Sequence, residues 1–410
     1  MTSQDDARWA VGPFGHDKSR AETYSPERIV LAVVHHLTAA TRLADIMPLL
    51  ERDRRIQTLY TCPPTSMFPG GVEEHLARLG VVVIPWRQAV QHRFDLAVAA
   101  AYGQLERLHA PVLQVPHGTG LNKYAKRWEG PGPKAPLEMY GMERAVLLYR
   151  GRVVASAMVV PTRRHLQRLR RGCPEAAEIA VVAGDPAFDR LIASLASRER
   201  YRQALGAADR TLVAVSSTWG PGSLLNRCQD LPSQLARRLP RESFQVAVIV
   251  HPTVWAWSGR RQVRAWLADA VRDGALLVPP EEGWRAVLAA SDVVIGDHGS
   301  VTCYAAAAGR PVILAGYPEE ETDPASTAGR LNRLAPRLRK GDPIAPQLAE
   351  ATARWTPARH RQMRETVTGA PIRSGELIRS LMYRMLELPE PDQPPVVLPV
   401  PDPEPLPPLE

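Results

Sequence analysis

Short apolar runs rich in valine, isoleucine and alanine alternate with stretches of helical periodicity along most of the chain. Strands of a parallel sheet are continuous apolar runs and their crossover helices are amphipathic, so the alternation predicts βαβ units. In the first half the predicted strands are 28–34, 57–61, 81–84, 95–100, 112–115, 152–155 and 179–183. In the second half they are 211–216, 245–250, 275–278, 292–296 and 311–315. The predicted fold class is α/β, with two Rossmann-like domains whose parallel sheets face a central cleft.

Composition divides the chain into five segments. A polar N-terminal extension (1–27) precedes two Rossmann-like domains (28–184 and 185–355), and a helical pattern over 356–388 would pack back against the first domain. The last 22 residues, 389–410, contain ten of the 39 prolines, five acidic residues and no lysine or arginine. Such a composition predicts a disordered tail.

Charge narrows the classes of partner. The chain has a formal net charge of +8 although its tail is acidic, which favours polyanionic partners. No zinc-finger, RNP or helix-turn-helix signature is present, so nucleic acid is not expected. The densest basic cluster is 163–171, where Arg164, Arg168 and Arg171 would share one helical face. That face suits an anionic membrane surface, and an ordinary solvated face is the alternative.

Metal and membrane signals are weak. The four cysteines are far apart, and no Cys/His cluster has zinc-ligand spacing. The acidic run Glu319 to Glu321 is interpreted as a solvated loop, so no metal or other cofactor is predicted. No apolar run approaches the roughly 20 residues of a spanning helix, and no apolar leader is recognised at the N-terminus. The expected location is the cytoplasm. Any association with a membrane is expected to be peripheral, at the inner face of the cell membrane.

One candidate site follows the predicted strand 112–115. The run His117-Gly118-Thr119-Gly120-Leu121-Asn122-Lys123 comes directly after it. A histidine at the carboxyl end of a strand can act as a general base, and Lys123 could meet a phosphate. The alternative is a glycine-rich turn with an incidental histidine.

A second candidate site lies at the strand ends of the second half. After the strand 292–296, a tight turn leads into a helix beginning near Ser300, and a helix N-terminus binds anions. Two other strands of that half are followed by Ser217 to Gly222 and by His251. The predicted phosphate-binding residues are Ser217, Thr218, Trp219, Asp297, His298, Gly299, Ser300 and Val301. The alternatives are a helix cap at Ser300, a loop anchor at Trp219 and a satisfied polar residue at His251.

Together these motifs resemble, in order, those of the CDP-glycerol glycerophosphotransferases that polymerise wall teichoic acid. The similar segments are His117 to Lys123, Gly184 to Leu191, Ser217 to Gly220, His251-Pro252, and Ser291 to Ser300 with Gly309 to Ile313. The resemblance implies a GT-B architecture, with an acceptor-side first domain and a nucleotide-donor-side second domain.

The resemblance also implies a reaction. A glycerol-phosphate-like group would pass from a CDP-linked or other nucleotide-activated donor to a hydroxyl of a phosphate-containing or lipid-linked acceptor, in cell-surface polymer synthesis. His117 and His251 would be catalytic, and Gly118, Thr119 and Lys123 would lie on the acceptor side.

Several positions depart from the family pattern. Pro116 stands where the family has tryptophan, and Ala187 and Gly220 stand where it has arginine. The alternatives are a nucleotide-sugar glycosyltransferase, a sugar-nucleotide 2-epimerase of GT-B fold, or a non-catalytic protein that binds nucleotides or polyanions.

Overall fold

The computed structural model describes residues 23–64, 70–119, 122–124 and 140–409. These residues form two compact units. The first contains the chain up to His117, Gly141–Pro186 and Arg373–Val396. The second contains Gly118–Tyr140, Ala187–Ile372 and the chain from Val397 onward. Residues 1–22 of the predicted N-terminal extension lie outside the described residues.

A six-stranded parallel sheet forms the centre of the first unit, in the order β2-β1-β3-β4-β7-β8. Its strands are β1 (Arg28–Val33), β2 (Ile56–Thr61), β3 (Leu96–Ala99), β4 (Val112–Gln114), β7 (Ala157–Val160) and β8 (Ala180–Val182). Strands β5 (Leu148–Tyr149) and β6 (Arg152–Val153) form a separate antiparallel hairpin. Successive side chains of β1 enter different apolar clusters, so the sheet is covered on both faces. The chain reverses its direction of strand addition between β1 and β3.

The second unit contains a five-stranded parallel sheet in the order β11-β10-β9-β12-β13. Its strands are β9 (Thr211–Ser217), β10 (Phe244–Val250), β11 (Leu276–Leu277), β12 (Val293–Gly296) and β13 (Val312–Leu314). Val213 and Val215 pack on one face and Leu212 and Ala214 on the other. Here strand addition reverses between β9 and β12. Ligands of open α/β sheets bind at such reversal points, outside the carboxyl ends of the strands.

Helices cover both sheets. Those preceding β9 are α1 (Leu37–Leu43), α2 (Pro48–Glu51), α3 (Val72–Leu79), α4 (Trp86–Ala89), α5 (Arg144–Leu147), α6 (Arg163–Gly172), α7 (Pro174–Glu178), α8 (Pro186–Ser194) and α9 (Arg198–Ala204). Those following β9 are α10 (Leu224–Arg227), α11 (Leu231–Arg238), α12 (Pro252–Ser258), α13 (Arg260–Trp266), α14 (Ala268–Arg272), α15 (Trp284–Ala290), α16 (Ser300–Ala307), α17 (Thr327–Leu334), α18 (Ile344–Arg354), α19 (Pro357–Val367) and α20 (Ser374–Met385). Among the described residues, none of these helices is long and apolar enough to cross a membrane.

The α/β class is confirmed, but two strand predictions need correction and one strand of the first sheet was missed. Residues 81–84 form only an isolated bridge, between Val83 and Tyr60. Val82 and Val83 are exposed and Pro85 follows shortly, so this apolar run lies at the edge of the sheet. The prediction at 152–155 falls on the hairpin strand β6, and β7 was missed because one apolar stretch contains both strands.

The predicted helical segment 356–388 is two helices. Between α19 and α20 lie Gly369 and Pro371, which interrupt a helix. Helix α19 buries Met363 in the core of the second unit, whereas α20 buries Met382 in the core of the first.

The C-terminal tail differs from the predicted disorder. Residues 389–409 follow a defined path, with Val400 only 1% exposed. The Tyr201 hydroxyl donates a hydrogen bond to the Val400 carbonyl, at 2.5 Å, and Arg379 pairs with Glu390 at 2.7 Å. A proline-rich chain loses less entropy on ordering, so a few anchors are enough to hold it.

Candidate functional site

Histidines from two strand ends meet at the reversal point of the first sheet. His117 follows β4, and its Nδ1–H donates a hydrogen bond to the Ala100 carbonyl, 2.8 Å away and just beyond β3. His35 follows β1, and its Nε2–H donates to the Gly103 carbonyl at 2.9 Å. Since β3 lies between β1 and β4, its end anchors both rings.

The protonation state of His117 follows from its partner. A carbonyl oxygen only accepts hydrogen bonds, so Nδ1 carries the proton and Nε2 of the neutral ring carries a lone pair. Burial lowers the pKa of His117, and the positive charge of Arg42 lowers it further. The half-buried ring is therefore neutral near pH 7 and can accept a proton.

Beside this edge lies a buried ion pair. Arg42 Nη1 is 3.0 Å from Asp185 Oδ1, and the two residues are 6% and 1% exposed. Arg42 belongs to α1 and Asp185 to the turn after β8, so the pair connects the helix that follows β1 with the turn that follows β8. The Gly184 to Leu191 motif thus contributes a buried counter-ion to the first unit.

In the second unit, Asp297 forms hydrogen bonds with the loops at the reversal point between β9 and β12. Its carboxylate accepts hydrogen bonds from the backbone N–H groups of Thr218 (2.9 Å), Leu224 (2.8 Å) and Gly299 (2.9 Å). Burial raises the pKa of Asp297 to about 6. Because the carboxylate oxygens already accept these protein N–H groups, Asp297 has the geometry of a positioning residue.

The loop that begins at His117 continues into the second unit and contacts α16. The Thr119 N–H donates to Ser300 Oγ at 3.3 Å. A Cβ added to Gly118 would lie 2.6 Å from the same oxygen, so the close approach requires glycine. Gly118, Thr119 and Lys123, expected on the acceptor side, are thus part of the second unit.

The side chains of Lys123 and His298 lie in the loops at the start of α16. The Lys123 ammonium lies 5.5 Å from the centre of the Trp219 ring and 3.9 Å from the Glu321 carboxylate. His298 is 3% exposed, and neither ring nitrogen has a hydrogen-bond partner among the described residues. Burial lowers the pKa of His298 to about 3, with contributions from Lys123 and Arg227. A neutral histidine can donate one hydrogen bond to an anion here.

His251 has the opposite tautomer to His117. It caps α12, and its Nδ1 accepts a hydrogen bond from the Thr253 N–H at 3.1 Å. The proton of the neutral ring is therefore on Nε2, which makes that nitrogen a donor. The Trp219 and His251 ring centres are 6.5 Å apart. This arrangement suits recognition of an anion better than abstraction of a proton.

The remaining predicted residues support the loop or begin the helix. Ser217 Oγ accepts from the Leu225 N–H at 3.1 Å and donates to the Thr218 carbonyl at 3.0 Å, so it serves the loop. Ser300 and Val301 are half-buried in the first turn of α16, where backbone N–H groups have no helical partner.

The basic face predicted on 163–171 lies on α6. Arg164 and Arg171 are exposed and Arg168 is half-buried, while His165 and Leu169 are buried. Binding of this face to anionic lipid stays a prediction.

Comparison with known proteins finds similarity at the level of structure. No protein family and no curated protein sequence matches the chain. A structure of the wall teichoic acid polymerase TagF is 13% identical, with a TM-score of 0.59, over 89% of this chain and 90% of that one. A form of TagF soaked with CDPG is 14% identical, with a TM-score of 0.57, over 90% and 91%.

The chain has a GT-B fold. Its two parallel sheets of six and five strands correspond to that architecture. Anabaena HepE in complex with UDP-glucose is 15% identical over 88% of this chain and 98% of that one, with a TM-score of only 0.46. At 13% and 14% identity, the likeness to the two TagF structures shows the fold alone.

Sequence analysis missed a part of the first edge. The sequence pattern alone assigned no role to His35, His36 or Arg42. Two histidines directly after a predicted strand were the available signal. Their proximity to His117 depends on strand order, which the local pattern does not contain.

Proposed function

We propose that this GT-B protein is a transferase that moves a glycerol-phosphate-like group from a CDP-activated donor to an acceptor hydroxyl. The observation that supports this most is the hydrogen bond from His117 Nδ1–H to the Ala100 carbonyl. It leaves Nε2 as a proton acceptor within a motif that resembles that of the glycerophosphotransferases.

In the proposed reaction, His117 Nε2 accepts the proton of the acceptor hydroxyl. The hydroxyl oxygen forms a bond to the β-phosphorus of the donor. The bond from that phosphorus to the bridging oxygen breaks, and cytidine monophosphate leaves with the electron pair. Phosphoryl transfer depends mainly on positioning and charge stabilisation, for which a single base and an anion site are the main requirements.

The donor diphosphate would bind in the second unit. The first turn of α16 offers unpaired backbone N–H groups, and the His251 Nε2–H and the Lys123 ammonium add donors of two kinds. Exposed Trp219, beside both side chains, would contact the cytidine. Asp297 would hold these loops in place through its three backbone hydrogen bonds.

A thermal-shift comparison of CDP-glycerol, UDP-glucose and a GDP-sugar tests the donor class. A ligand at about 100 times its dissociation constant adds about 2.7 kcal/mol to the free energy of unfolding. We expect CDP-glycerol to stabilise the protein selectively and to release CMP on addition of glycerol 3-phosphate. Selective stabilisation by UDP-glucose, with transfer of glucose, would replace the proposal with a glycosyltransferase.

The variant His251→Asn tests the donor site while retaining the helix cap. Asparagine is a good N-cap and keeps an acceptor near the position of Nδ1, but it lacks the Nε2–H. The unliganded variant should melt near the wild-type temperature and should lose most of the shift caused by CDP-glycerol. An unchanged ligand-induced shift would remove His251 from the donor site.

A further inference from the structure

A cavity of about 520 Å³ in the first unit is lined by the segment 105–112 and by the β5–β6 hairpin. Small-molecule sites in proteins have volumes of about 300–1,000 Å³. Most of the lining side chains are aliphatic, and Leu105, Leu108 and Val112 among them belong to the apolar cluster on one face of the sheet. The lining residues include none that the proposed reaction uses.

The β5–β6 hairpin brings an aromatic ring and two guanidinium groups to the rim of this cavity. Tyr149 pairs with Arg152 across the hairpin, so their side chains lie on the same face. The Arg150 guanidinium lies 5.2 Å from the centre of the Tyr149 ring. All three residues are exposed, and neither arginine forms an ion pair with any residue that the structure describes. The rim therefore carries two positive charges that no carboxylate of the described chain neutralises.

The turn of this hairpin contains an arginine where the backbone favours another residue. Arg150 and Gly151 have positive φ angles, 49° and 78°, as in a two-residue type I′ turn. The first position of that turn prefers asparagine, aspartate or glycine, because a long side chain is strained in the left-handed region. Strained residues of this kind cluster at functional sites and ligand clamps. The position of Arg150 thus supports a function for its guanidinium.

We propose that this cavity binds an alkyl phosphate, which is a phosphate ester that carries an apolar chain. The N–H groups of Arg150 and Arg152 match phosphate oxygens in geometry and charge. The aliphatic floor would bury the chain, as removal of apolar surface from water favours. Glu106 is the one acidic residue among the described lining residues, and its carboxylate would accept a hydrogen bond from a hydroxyl of the ester. Inorganic phosphate would leave the floor unused, and a neutral alcohol would leave both charges unpaired.

Calorimetric titration of the full-length protein tests the two parts of the ligand separately. Octyl phosphate should bind at least about tenfold more tightly than glycerol 3-phosphate, which lacks the chain, or octanol, which lacks the charge. Affinity should rise from butyl to octyl phosphate, by up to about fourfold for each methylene group. Equal affinity for the two alkyl phosphates, or no binding of octyl phosphate, would overturn the proposal.

Arg150→Asn removes one guanidinium and keeps the turn. Because Asn-Gly is the preferred pair of a type I′ turn, the unliganded variant should melt at or above the wild-type temperature. It should bind octyl phosphate about ten- to a hundredfold more weakly, and Arg152→Gln should do the same. The control is Arg52→Gln, which removes an exposed arginine of the same unit outside the cavity and should bind like the wild type. Unchanged affinity in Arg150→Asn and Arg152→Gln would contradict the site.

Flotation with vesicles of phosphatidylcholine and phosphatidylglycerol identifies the source of the alkyl phosphate. Weaker flotation of Arg150→Asn than of the wild type would identify a phospholipid of the bilayer. Equal flotation of the two, with octyl phosphate binding that still depends on Arg150, would identify a lipid phosphate outside the bilayer. Both results support the site. Turnover of CDP-glycerol by Arg150→Asn should equal that of the wild type, so the failure of either proposal leaves the other standing.

Discussion

The two sheet edges have the same topology and different chemistry. At the reversal point of the first sheet, neutral histidines lie around the end of β3, beside the buried Arg42–Asp185 pair. At that of the second sheet, a buried carboxylate holds backbone loops around the start of a helix. One edge is suited to accepting a proton and the other to binding an anion. Equivalent positions in one architecture thus acquire separate functions through their side chains.

Loss of the proton acceptor should have the largest effect. Since a general base contributes about 10²–10⁴-fold, His117→Ala should lose that much turnover of CDP-glycerol while its melting temperature stays near the wild-type value. The control is His109→Ala, which removes an exposed histidine of the same unit. Wild-type turnover in His117→Ala would end the distinction between the two edges.

Loss of the buried ion pair of the first unit should lower the free energy of unfolding much more than loss of an exposed pair. Arg42→Met removes the guanidinium from the buried Asp185 carboxylate, and loss of one member of a buried ion pair costs about 3–5 kcal/mol in the free energy of unfolding. Denaturation by urea would measure this loss. Arg144→Met, at the exposed pair with Glu175, is the control and should change little. Equal losses in both variants would show that burial does not distinguish the two pairs.

At the second edge, stability should depend on pH through Asp297. Burial raises the pKa of this carboxyl to about 6 in the folded chain, whereas an aspartate in the unfolded chain has a pKa near 3.8. Between these values the native state binds more protons, so raising the pH lowers stability. From pH 4 to 6.5, the wild type should lose about 2 kcal/mol of stability relative to Asp297→Asn. The control is Asp209→Asn, at an exposed position, whose stability should depend on pH as that of the wild type does. If the stability of Asp297→Asn showed the same pH dependence as the wild type, burial would not be raising the pKa of Asp297.

The close contact before α16 should give the smallest effect. Gly118→Ala places a methyl group against Ser300 Oγ and should cost about 1–3 kcal/mol in the free energy of unfolding. In a Ser300→Ala background the oxygen is absent, and the nearest remaining Ser300 atom, Cβ, lies at 3.5 Å. The cost should then fall sharply, as a double-mutant cycle would measure. Equal costs in both backgrounds would place the origin of the glycine requirement elsewhere.

Local pattern was sufficient for most of the strands. The prediction 245–250 corresponds to β10 (Phe244–Val250), because six consecutive buried positions leave a continuous apolar run. It was insufficient at 152–155, where two strands of different sheets share one apolar stretch. The predicted tail disorder failed for a related reason, since Val400 is ordered by contacts with residues far away in sequence.

Sequence by itself determined the α/β class and placed His117, His251 and Ser300 at strand ends, because these features depend on residues close together in the chain. Only the tertiary structure decided that His36 contacts His117 and that Asp297 accepts hydrogen bonds from three backbone N–H groups. It also decided that Gly118, Thr119 and Lys123 belong to the second unit. The order of parallel strands, which is set by long-range packing, brings distant loops to one edge. The tautomers, and with them the chemistry of each histidine, follow from the backbone groups that lie there.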